Sequence, residues 1–134
     1  MPILGHGIDL VEVARVQAML DDHGERFLTR CYTEGERAYC AANPSRMAEH
    51  LAGRFAAKEA VLKVLGTGWS GGIAWTDVEV VREASGKPGV RLAGEAAAVA
   101  AGLGITTILL SISHTSTHAM ASAIGVSDDS QAEP

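Results

Sequence analysis

The chain has 134 residues, of which 47% are hydrophobic and 20% charged, a composition typical of one globular domain with a buried core. Its net charge of −5 argues against a general nucleic-acid-binding protein. No apolar run approaches the roughly 20 residues that a membrane-spanning helix needs, and the N-terminus lacks the basic and apolar regions of a signal peptide. We therefore predict a cytoplasmic protein that acts on neither nucleic acid nor membrane.

The distribution of charge and the two cysteines narrow the function further. Residues 1–65 contain eight Lys and Arg against nine Asp and Glu (net −1), whereas residues 66–134 contain three against seven (net −4). An acidic partner or substrate is therefore expected to bind to the first half of the chain, where the net charge is less negative. Cys31 and Cys40 are nine residues apart and lack the Cys-x-x-Cys spacing of zinc and redox sites, so we interpret both as idle or buried thiols.

The first half of the chain predicts one strand followed by three helices. They are a strand at 3–8 and helices from after Asp9 to about Leu20, from Thr33 to about Ala42 and from about Met47 to Leu65. Asp9 with Glu12, and Thr33 with Glu36, have the spacing of a helix-capping box. Gly66 follows the longest helix, where glycine commonly ends helices.

The hydrophobic period changes after Gly66. The second half predicts strands at 77–82 and 89–92 around a turn at 85–88, an alanine-rich helix at 92–102, and strands at 106–112 and 118–126. Residues 127–134 are polar and predict a disordered tail. The order strand, three helices, β-hairpin, helix, β-hairpin predicts a single compact α+β domain over residues 1–126.

The pair Asp9 and Glu59 is the strongest indication of chemistry. Glu59 shares a flank of its helix with core-facing residues, so its charge needs a partner. If the fold brings Asp9 to Glu59, the two carboxylates form an all-oxygen site suited to Mg2+, because a pair about 4 Å apart would otherwise repel by about 4 kcal/mol at an effective dielectric of 20. Lys63 lies one turn further along. Together with the turn Gly66-Thr67-Gly68, the pattern indicates phosphate chemistry.

Each of these residues also has a simpler interpretation. Spacing alone favours Asp9 as a helix N-cap, because caps are common. Glu59 and Lys63 could form a surface helix pair worth about 0.3–0.5 kcal/mol, and Lys63 also suits the negative end of the helix dipole. His114 lies in a polar connection between two strands, where an isolated histidine more often has no catalytic role.

Several stretches occur in a specific order along the chain. They are 7–12 with Arg15; 53–60 continuing through Lys63 and Gly66-Thr67-Gly68; Asp77-Val78-Glu79; Gly86-Lys87-Pro88; and Ser111-Ile112-Ser113-His114 followed by Ala119 and Ala121. Together they resemble the holo-acyl-carrier-protein synthase family, the small type of 4'-phosphopantetheinyl transferase. The resemblance covers residues 3 to about 126. Any one stretch is weak evidence, but the ordered set is highly specific.

The resemblance implies a Mg2+-assisted in-line transfer of 4'-phosphopantetheine from coenzyme A to a serine of an acyl carrier protein, in fatty acid biosynthesis. Adenosine 3',5'-bisphosphate is released. Asp9 and Glu59 would bind Mg2+, and Glu59, Lys63 and His114 would be the catalytic residues. Glu59 would accept the serine proton directly or through a metal-bound water, and Lys63 would stabilise the departing bisphosphate. A homotrimer with active sites between neighbouring subunits is also implied.

The remaining implied site residues bind the two substrates. Those for coenzyme A are Lys58, Lys63, Gly66, Gly68, His114 and Thr115, and those for carrier docking are Arg15 and Met19. Lys58 has an alternative role as the partner of Arg54 on an exposed flank. Asp21 and Asp22 reduce the positive charge of the helix expected to dock the carrier. Arg26, Arg30 and Arg54 would compensate for that loss of charge. The rival functions are a Mg2+-dependent nucleotide pyrophosphohydrolase and a carrier-binding subunit without activity.

Overall fold

The computed structural model describes residues 2–128. Its elements are β1 (Ile3–Glu12), α1 (Val13–His23), α2 (Glu25–Cys31), α3 (Glu34–Ala41), α4 (Met47–Leu65), β2 (Val78–Arg82), β3 (Pro88–Leu92), α5 (Gly94–Leu103), β4 (Thr107–His114) and β5 (His118–Val126). Short 3-10 helices, Pro44–Arg46 and Trp75–Asp77, precede α4 and β2. The predicted α+β class is confirmed. Most of the predicted tail, 129–134, lies outside the described residues.

Helix α4 is the centre of the fold. It packs against one face of an antiparallel sheet with strand order β1-β5-β4, while β2 and β3 form a separate hairpin. Six of its apolar residues have no exposed surface: Leu51, Ala52, Ala56, Ala57, Ala60 and Val61. A helix that is apolar on nearly all sides is a core helix. Polar side chains on α4 are therefore held in a rigid frame.

Glycines in β1 allow the strand to lie directly against α4. A Cβ atom at Gly7 would be 2.0 Å from the carbonyl oxygen of Ala60, and one at Gly5 would be 2.8 Å from that of Val64. Contacts this short exclude any side chain unless the strand moves away from the helix. Asp9, two residues after Gly7, is thereby held beside the second half of α4.

Strand β1 continues four residues beyond its predicted end. Asp9 pairs with Ala121 and Glu12 with His118, both in β5. Helix α1 consequently begins at Val13, and its N-cap residue Glu12 makes no side-chain capping bond. The predicted capping box of Asp9 and Glu12 is wrong, because pairing with β5 extends the backbone that a helix would need. Asp9 therefore has no competing role as a cap.

Other helix boundaries agree with the sequence, with one addition. Thr33 and Glu36 form the predicted capping box, with bonds of 2.8 and 3.2 Å. Helix α4 ends at Gly66, whose φ of 77° is left-handed, as predicted. The prediction of three helices in the first half omitted α2, whose seven residues are too few to show a helical period.

The face of the three-stranded sheet away from α4 is apolar and exposed. Ile8, Leu10, Leu109 and Met120 have exposed fractions between 41% and 64%. Leu10 and Met120 are directly paired across β1 and β5, so the exposed side chains form one patch rather than scattered positions. Exposed apolar patches of this kind mark interaction surfaces.

The cysteines, the helices and the start of the C-terminal tail bear on three further predictions. Cys31 and Cys40 are free and buried, as predicted, and burial raises the pKa of the Cys40 thiol to about 11. Within residues 2–128, none of the helices has the length and apolar character needed to cross a bilayer. Ser127, the first residue of the predicted tail, donates its backbone N–H to the carbonyl oxygen of Pro2 at 3.0 Å.

Candidate active site

Lys63 links α4 to β1 beside Asp9. Its Nζ atom donates to the carbonyl oxygen of Ile8 at 2.7 Å and lies 3.3 Å from Oδ1 of Asp9. The side chains are 53% and 20% exposed, respectively, so the ion pair is screened and contributes less than about 1 kcal/mol to stability. Its main effect is geometric, because it fixes where the Asp9 carboxylate meets the helix.

Glu59 lies one turn before Lys63 and close to Asp9. Burial raises the pKa of the Glu59 carboxyl, and the negative charge of Asp9 raises it further, whereas Trp69, Lys63 and Arg15 lower it. Two carboxylates from distant parts of the chain therefore share one environment. The negative charge of Asp9 acts on Glu59, so the two carboxylates lie near each other. Their joint role as metal ligands stays a prediction.

The donor set at this point suits a hard divalent cation. Both carboxylates offer oxygen, and a cation between them would remove the repulsion that raises the pKa of Glu59. Within the described part of the chain, no group of three or more His, Cys, Asp and Glu side chains is placed to hold a metal. Mg2+ commonly keeps several waters and takes one or two carboxylates plus substrate phosphates. Asp9 and Glu59 fit that pattern.

A groove of about 810 Å³ opens beside Glu59, between α1, α2 and the 3-10 helix before β2. Its lining combines positive charge with apolar surface: Arg15, Arg26, Arg30, Met19 and Phe27. Both residues predicted to dock a carrier, Arg15 and Met19, are among them. The site thus has a basic, partly apolar approach that ends at a carboxylate.

His114 lies at the opposite end of α4. Its Nδ1 atom is 3.0 Å from Oε1 of Glu49, and its ring packs edge-on against His50 with centroids 5.6 Å apart. Glu49 and Glu59 are ten residues apart on one helix, which corresponds to about 15 Å along its axis. Within one chain, therefore, His114 is not brought to the carboxylate pair.

The other residues predicted to bind coenzyme A lie in turns. Gly66 and Gly68 have φ of 77° and 59°, and a Cβ atom at either would meet nothing within 4 Å, so backbone conformation rather than packing requires glycine. The Thr115 hydroxyl accepts the backbone N–H groups of Thr117 and His118 at 3.2 and 3.1 Å. It closes the β4–β5 turn, and its role toward the coenzyme stays a prediction.

Lys58 does not face a ligand, contrary to its predicted role. Its side chain has no exposed surface, and Nζ lies 2.8 Å from Oε1 of Glu36 and donates to the carbonyl oxygens of Trp75 and Val78. These contacts use all three of its protons. The alternative of an exposed pair with Arg54 is also wrong, since Arg54 is buried with its guanidinium 3.9 Å from the ring centre of Tyr39.

An aromatic stack next to Glu59 was not identified from the sequence. The ring centre of Trp75 lies 4.8 Å from that of Phe55 on α4 and 3.8 Å from that of Trp69. Trp69 belongs to the glycine-rich loop, and its Nε1 atom is buried without a hydrogen-bond partner. A large aromatic residue among four glycines was the available signal.

Similarity to known sequences agrees with this geometry. A family model described as the 4'-phosphopantetheinyl transferase superfamily matches residues 5–121. The chain is 49% identical over 122 residues to the holo-[acyl-carrier-protein] synthase of Koribacter versatilis, covering 91% of this chain and 97% of that protein. It is 46% identical to the protein of the same name from Solibacter usitatus, with the same coverage.

Solved structures give the same result. The holo-[acyl-carrier-protein] synthase of Neisseria meningitidis superposes with a TM-score of 0.84 at 28% identity, covering 93% of this chain and 99% of that one. That of Bacillus anthracis, in complex with CoA (3',5'-ADP), superposes with a TM-score of 0.77 at 36% identity, covering 94% and 98%. The chain therefore belongs to the holo-[acyl-carrier-protein] synthase family of 4'-phosphopantetheinyl transferases.

Proposed function

We propose that this chain transfers 4'-phosphopantetheine from coenzyme A to a serine of an apo-acyl carrier protein, giving the holo form and adenosine 3',5'-bisphosphate, with Asp9 and Glu59 at the reacting centre. The observation that carries the assignment of the centre is the meeting of these two carboxylates at the end of a basic groove. Family membership supplies the reaction class. A cytoplasmic location and a place in fatty acid biosynthesis stay predictions.

The reaction is an in-line displacement at the phosphorus that carries pantetheine. The carrier serine oxygen forms the new P–O bond while the bond to the adenosine bisphosphate oxygen breaks. Glu59 accepts the serine proton, and burial, which raises its pKa, makes it a stronger base than an exposed glutamate. Asp9 and Glu59 would hold Mg2+, which when bound supplies positive charge to the diphosphate oxygens.

Lys63 offsets charge that develops on the leaving group. Its bonds to Ile8 and Asp9 use two of its three ammonium protons, and 53% of the side chain is exposed. The third proton is directed to a phosphate oxygen of the coenzyme. A fixed cation at this point stabilises the transition state more than the ground state, because negative charge accumulates on the leaving oxygen.

The groove beside Glu59 receives the carrier. Acyl carrier proteins are acidic, and Arg15, Arg26 and Arg30 give the groove positive charge. Met19 and Phe27 add apolar surface to it. Charged residues at the rim and apolar residues at the centre are the usual anatomy of a specific interface. A serine presented from this groove would approach Glu59 directly.

We further propose a homotrimer whose active sites lie between subunits. Two observations support it. The exposed apolar face of the sheet, with Leu10 paired to Met120, is a surface suited to association. His114 is about 15 Å along α4 from Glu59, so it reaches a carboxylate pair only on a neighbouring copy. His114 then contacts the coenzyme bound by the neighbour.

Mass spectrometry tests the reaction class. An apo-acyl carrier protein incubated with the enzyme, Mg2+ and coenzyme A is expected to gain one phosphopantetheine on a serine. A reaction without carrier serves as the control: release of adenosine 3',5'-bisphosphate there would indicate a nucleotide pyrophosphohydrolase. Binding of the carrier without any gain in mass would indicate an inactive subunit.

A further inference from the structure

One side chain of the glycine-rich loop after α4, that of Trp69, stacks on a ring outside the loop. Four of its residues have positive φ and would have open space around a Cβ atom: Gly66, Gly68, Gly71 and Gly72. The hydroxyl bonds of Thr67 and Ser70 stay inside the loop. Trp69, in contrast, stacks on Trp75 at 3.8 Å. The position of the loop therefore depends on this ring.

The surface on which Trp69 rests is rigid. Trp75 packs at 4.8 Å against Phe55 of the core helix, and its carbonyl oxygen accepts a hydrogen bond from the buried Lys58 at 3.1 Å. Lys58 is in turn fixed by Glu36. The stack thus connects the loop to α4 through packed and hydrogen-bonded groups.

The indole N–H of Trp69 is the unusual feature of this arrangement. Nε1 is buried and has no partner at hydrogen-bonding distance, although a buried donor without an acceptor is destabilising. The stack connects the indole through Trp75 to Phe55, one helical turn before Glu59, and hydrogen bonding by Trp69 favours the ionised form of the Glu59 carboxyl and so lowers its pKa. A small movement of either group completes the bond.

We propose that Trp69 is a positioning residue for Glu59, whose indole N–H donates to one carboxylate oxygen in the reacting enzyme and whose stacked ring ties the glycine-rich loop to that carboxylate. This inference rests on the role of Glu59 proposed above. An indole N–H only donates, so it occupies one oxygen without competing for a cation. The second oxygen of Glu59 is then left for the cation and the serine proton.

The hydrogen bond from Trp69 to Glu59 couples the position of the glycine-rich loop to the orientation of the Glu59 carboxylate. A hydrogen bond to an ionised acceptor is about twice as strong as one between neutral groups. A ligand that orders residues 66–72 would therefore also fix Glu59. The chain has only two tryptophans, Trp69 and Trp75, so both reporters of tryptophan fluorescence lie in the stack.

The experiment compares two matched substitutions in the same stack. Trp69→Phe keeps a ring on Trp75 but removes the N–H, and Trp75→Phe is the control that leaves Trp69 intact. We expect Trp69→Phe to lower kcat about tenfold with the KM for the carrier unchanged. Trp75→Phe alters the wall of the carrier groove, so it is expected to change mainly the KM for the carrier. Thermal unfolding of both variants confirms that each is folded.

A second measurement does not depend on turnover. The affinity for Mg2+ in the presence of coenzyme A, measured by calorimetry, is expected to weaken several-fold in Trp69→Phe and to be unchanged in Trp75→Phe. In a Glu59→Ala background, which has no side-chain acceptor at this position, Trp69→Phe is expected to have no further effect on this affinity. Equal behaviour of the two Phe variants in both measurements would overturn the inference.

The outcomes separate this inference from the proposed function. If Glu59→Gln transfers phosphopantetheine at the wild-type rate, the proposed role of Glu59 fails. If Glu59→Gln is inactive while Trp69→Phe matches the wild type in kcat and in Mg2+ affinity, only the positioning role of Trp69 fails. Loss of activity in Trp69→Leu with full activity in Trp69→Phe would also overturn it, because the ring alone would then suffice.

Discussion

Nζ of Lys63 and Oδ1 of Asp9 lie 3.3 Å apart, although 54 residues separate them along the chain. The lysine is on the core helix and the aspartate on the first strand, so this contact records how the two elements align. Glu59 lies one turn earlier on the same helix. The contact therefore defines one wall of the site.

Asp9→Ala and Glu59→Ala are each expected to reduce phosphopantetheine transfer by about 10³-fold or more, because each removes a proposed ligand of the cation at the reacting centre. Asp9 and Glu59 are both partly exposed, so thermal midpoints are expected to stay near that of the wild type. Mass spectrometry of the carrier measures the transfer. Near-wild-type turnover of either variant at saturating Mg2+ would contradict the assignment of Asp9 and Glu59 to the reacting centre.

Mixing two inactive variants tests the shared site. Glu59→Ala and His114→Ala trimers are expected to be inactive alone and to regain activity after subunits exchange. In an equal mixture about one quarter of the interfaces combine an intact Glu59 with an intact His114 from the neighbour. Activity that stays at the sum of the separate variants, with exchange demonstrated by mass spectrometry, would show that the site lies within one chain.

Arg15→Glu is expected to raise the KM for the carrier by about tenfold while changing the KM for coenzyme A less than twofold. The substitution reverses a charge in the groove where an acidic partner docks, and such contacts weaken with salt. Arg91→Glu, on an exposed arginine of β3 paired with Glu79, is the control. Equal changes in both KM values would contradict a carrier-specific role.

Lys58→Met is expected to reduce the free energy of unfolding by about 3–5 kcal/mol, because it leaves the buried Glu36 carboxylate without its cation. Adding Glu36→Gln is expected to recover part of the loss. Lys63→Met, at an exposed lysine on the same helix, is the control and should cost less than about 1 kcal/mol. Urea unfolding gives all three values.

The stability of the protein is expected to fall as the pH is lowered through the titration of His50. Burial lowers the pKa of His50 below its ordinary value of 6.5, and the charges of Arg54 and His114 lower it further, whereas Glu49 raises it. The folded state binds fewer protons than the unfolded state in this window, so stability is present above pH 6.5 and is lost below it.

Urea unfolding at pH 7 and pH 5 compares the wild type with His50→Phe, which keeps a ring against Tyr39. A smaller loss of stability between the two pH values is expected in the variant. The same loss in both proteins would assign the effect to other groups.

The sequence predicted the elements whose signals are local. The Thr33–Glu36 capping box and the end of α4 at Gly66 depend on a few neighbouring residues, and both are as predicted. Asp9 as a helix cap was wrong because strand pairing with Ala121, more than a hundred residues away, competes with the local signal. The metal role of Asp9 came from resemblance rather than from spacing.

Long-range packing explains the remaining errors. Helical periodicity shows that one flank of α4 faces the sheet, but it cannot show that Trp75 and Val78 cover the flank that bears Lys58. The separation of His114 from Glu59 likewise depends on the direction of α4 across the sheet. Trp69 was not identified because its significance lies in a stack with Trp75 that no short motif encodes.

Gly7 touches no substrate and bears no charge, yet the chemistry depends on its missing side chain. A single methyl group there would lie 2.0 Å from the oxygen of Ala60 and would lever Asp9 away from the helix that carries Glu59. Loss of catalysis at this position would therefore resemble loss of a ligand, although every ligand would still be present. The absence of a Cβ atom at Gly7 therefore sets how closely Asp9 can approach Glu59.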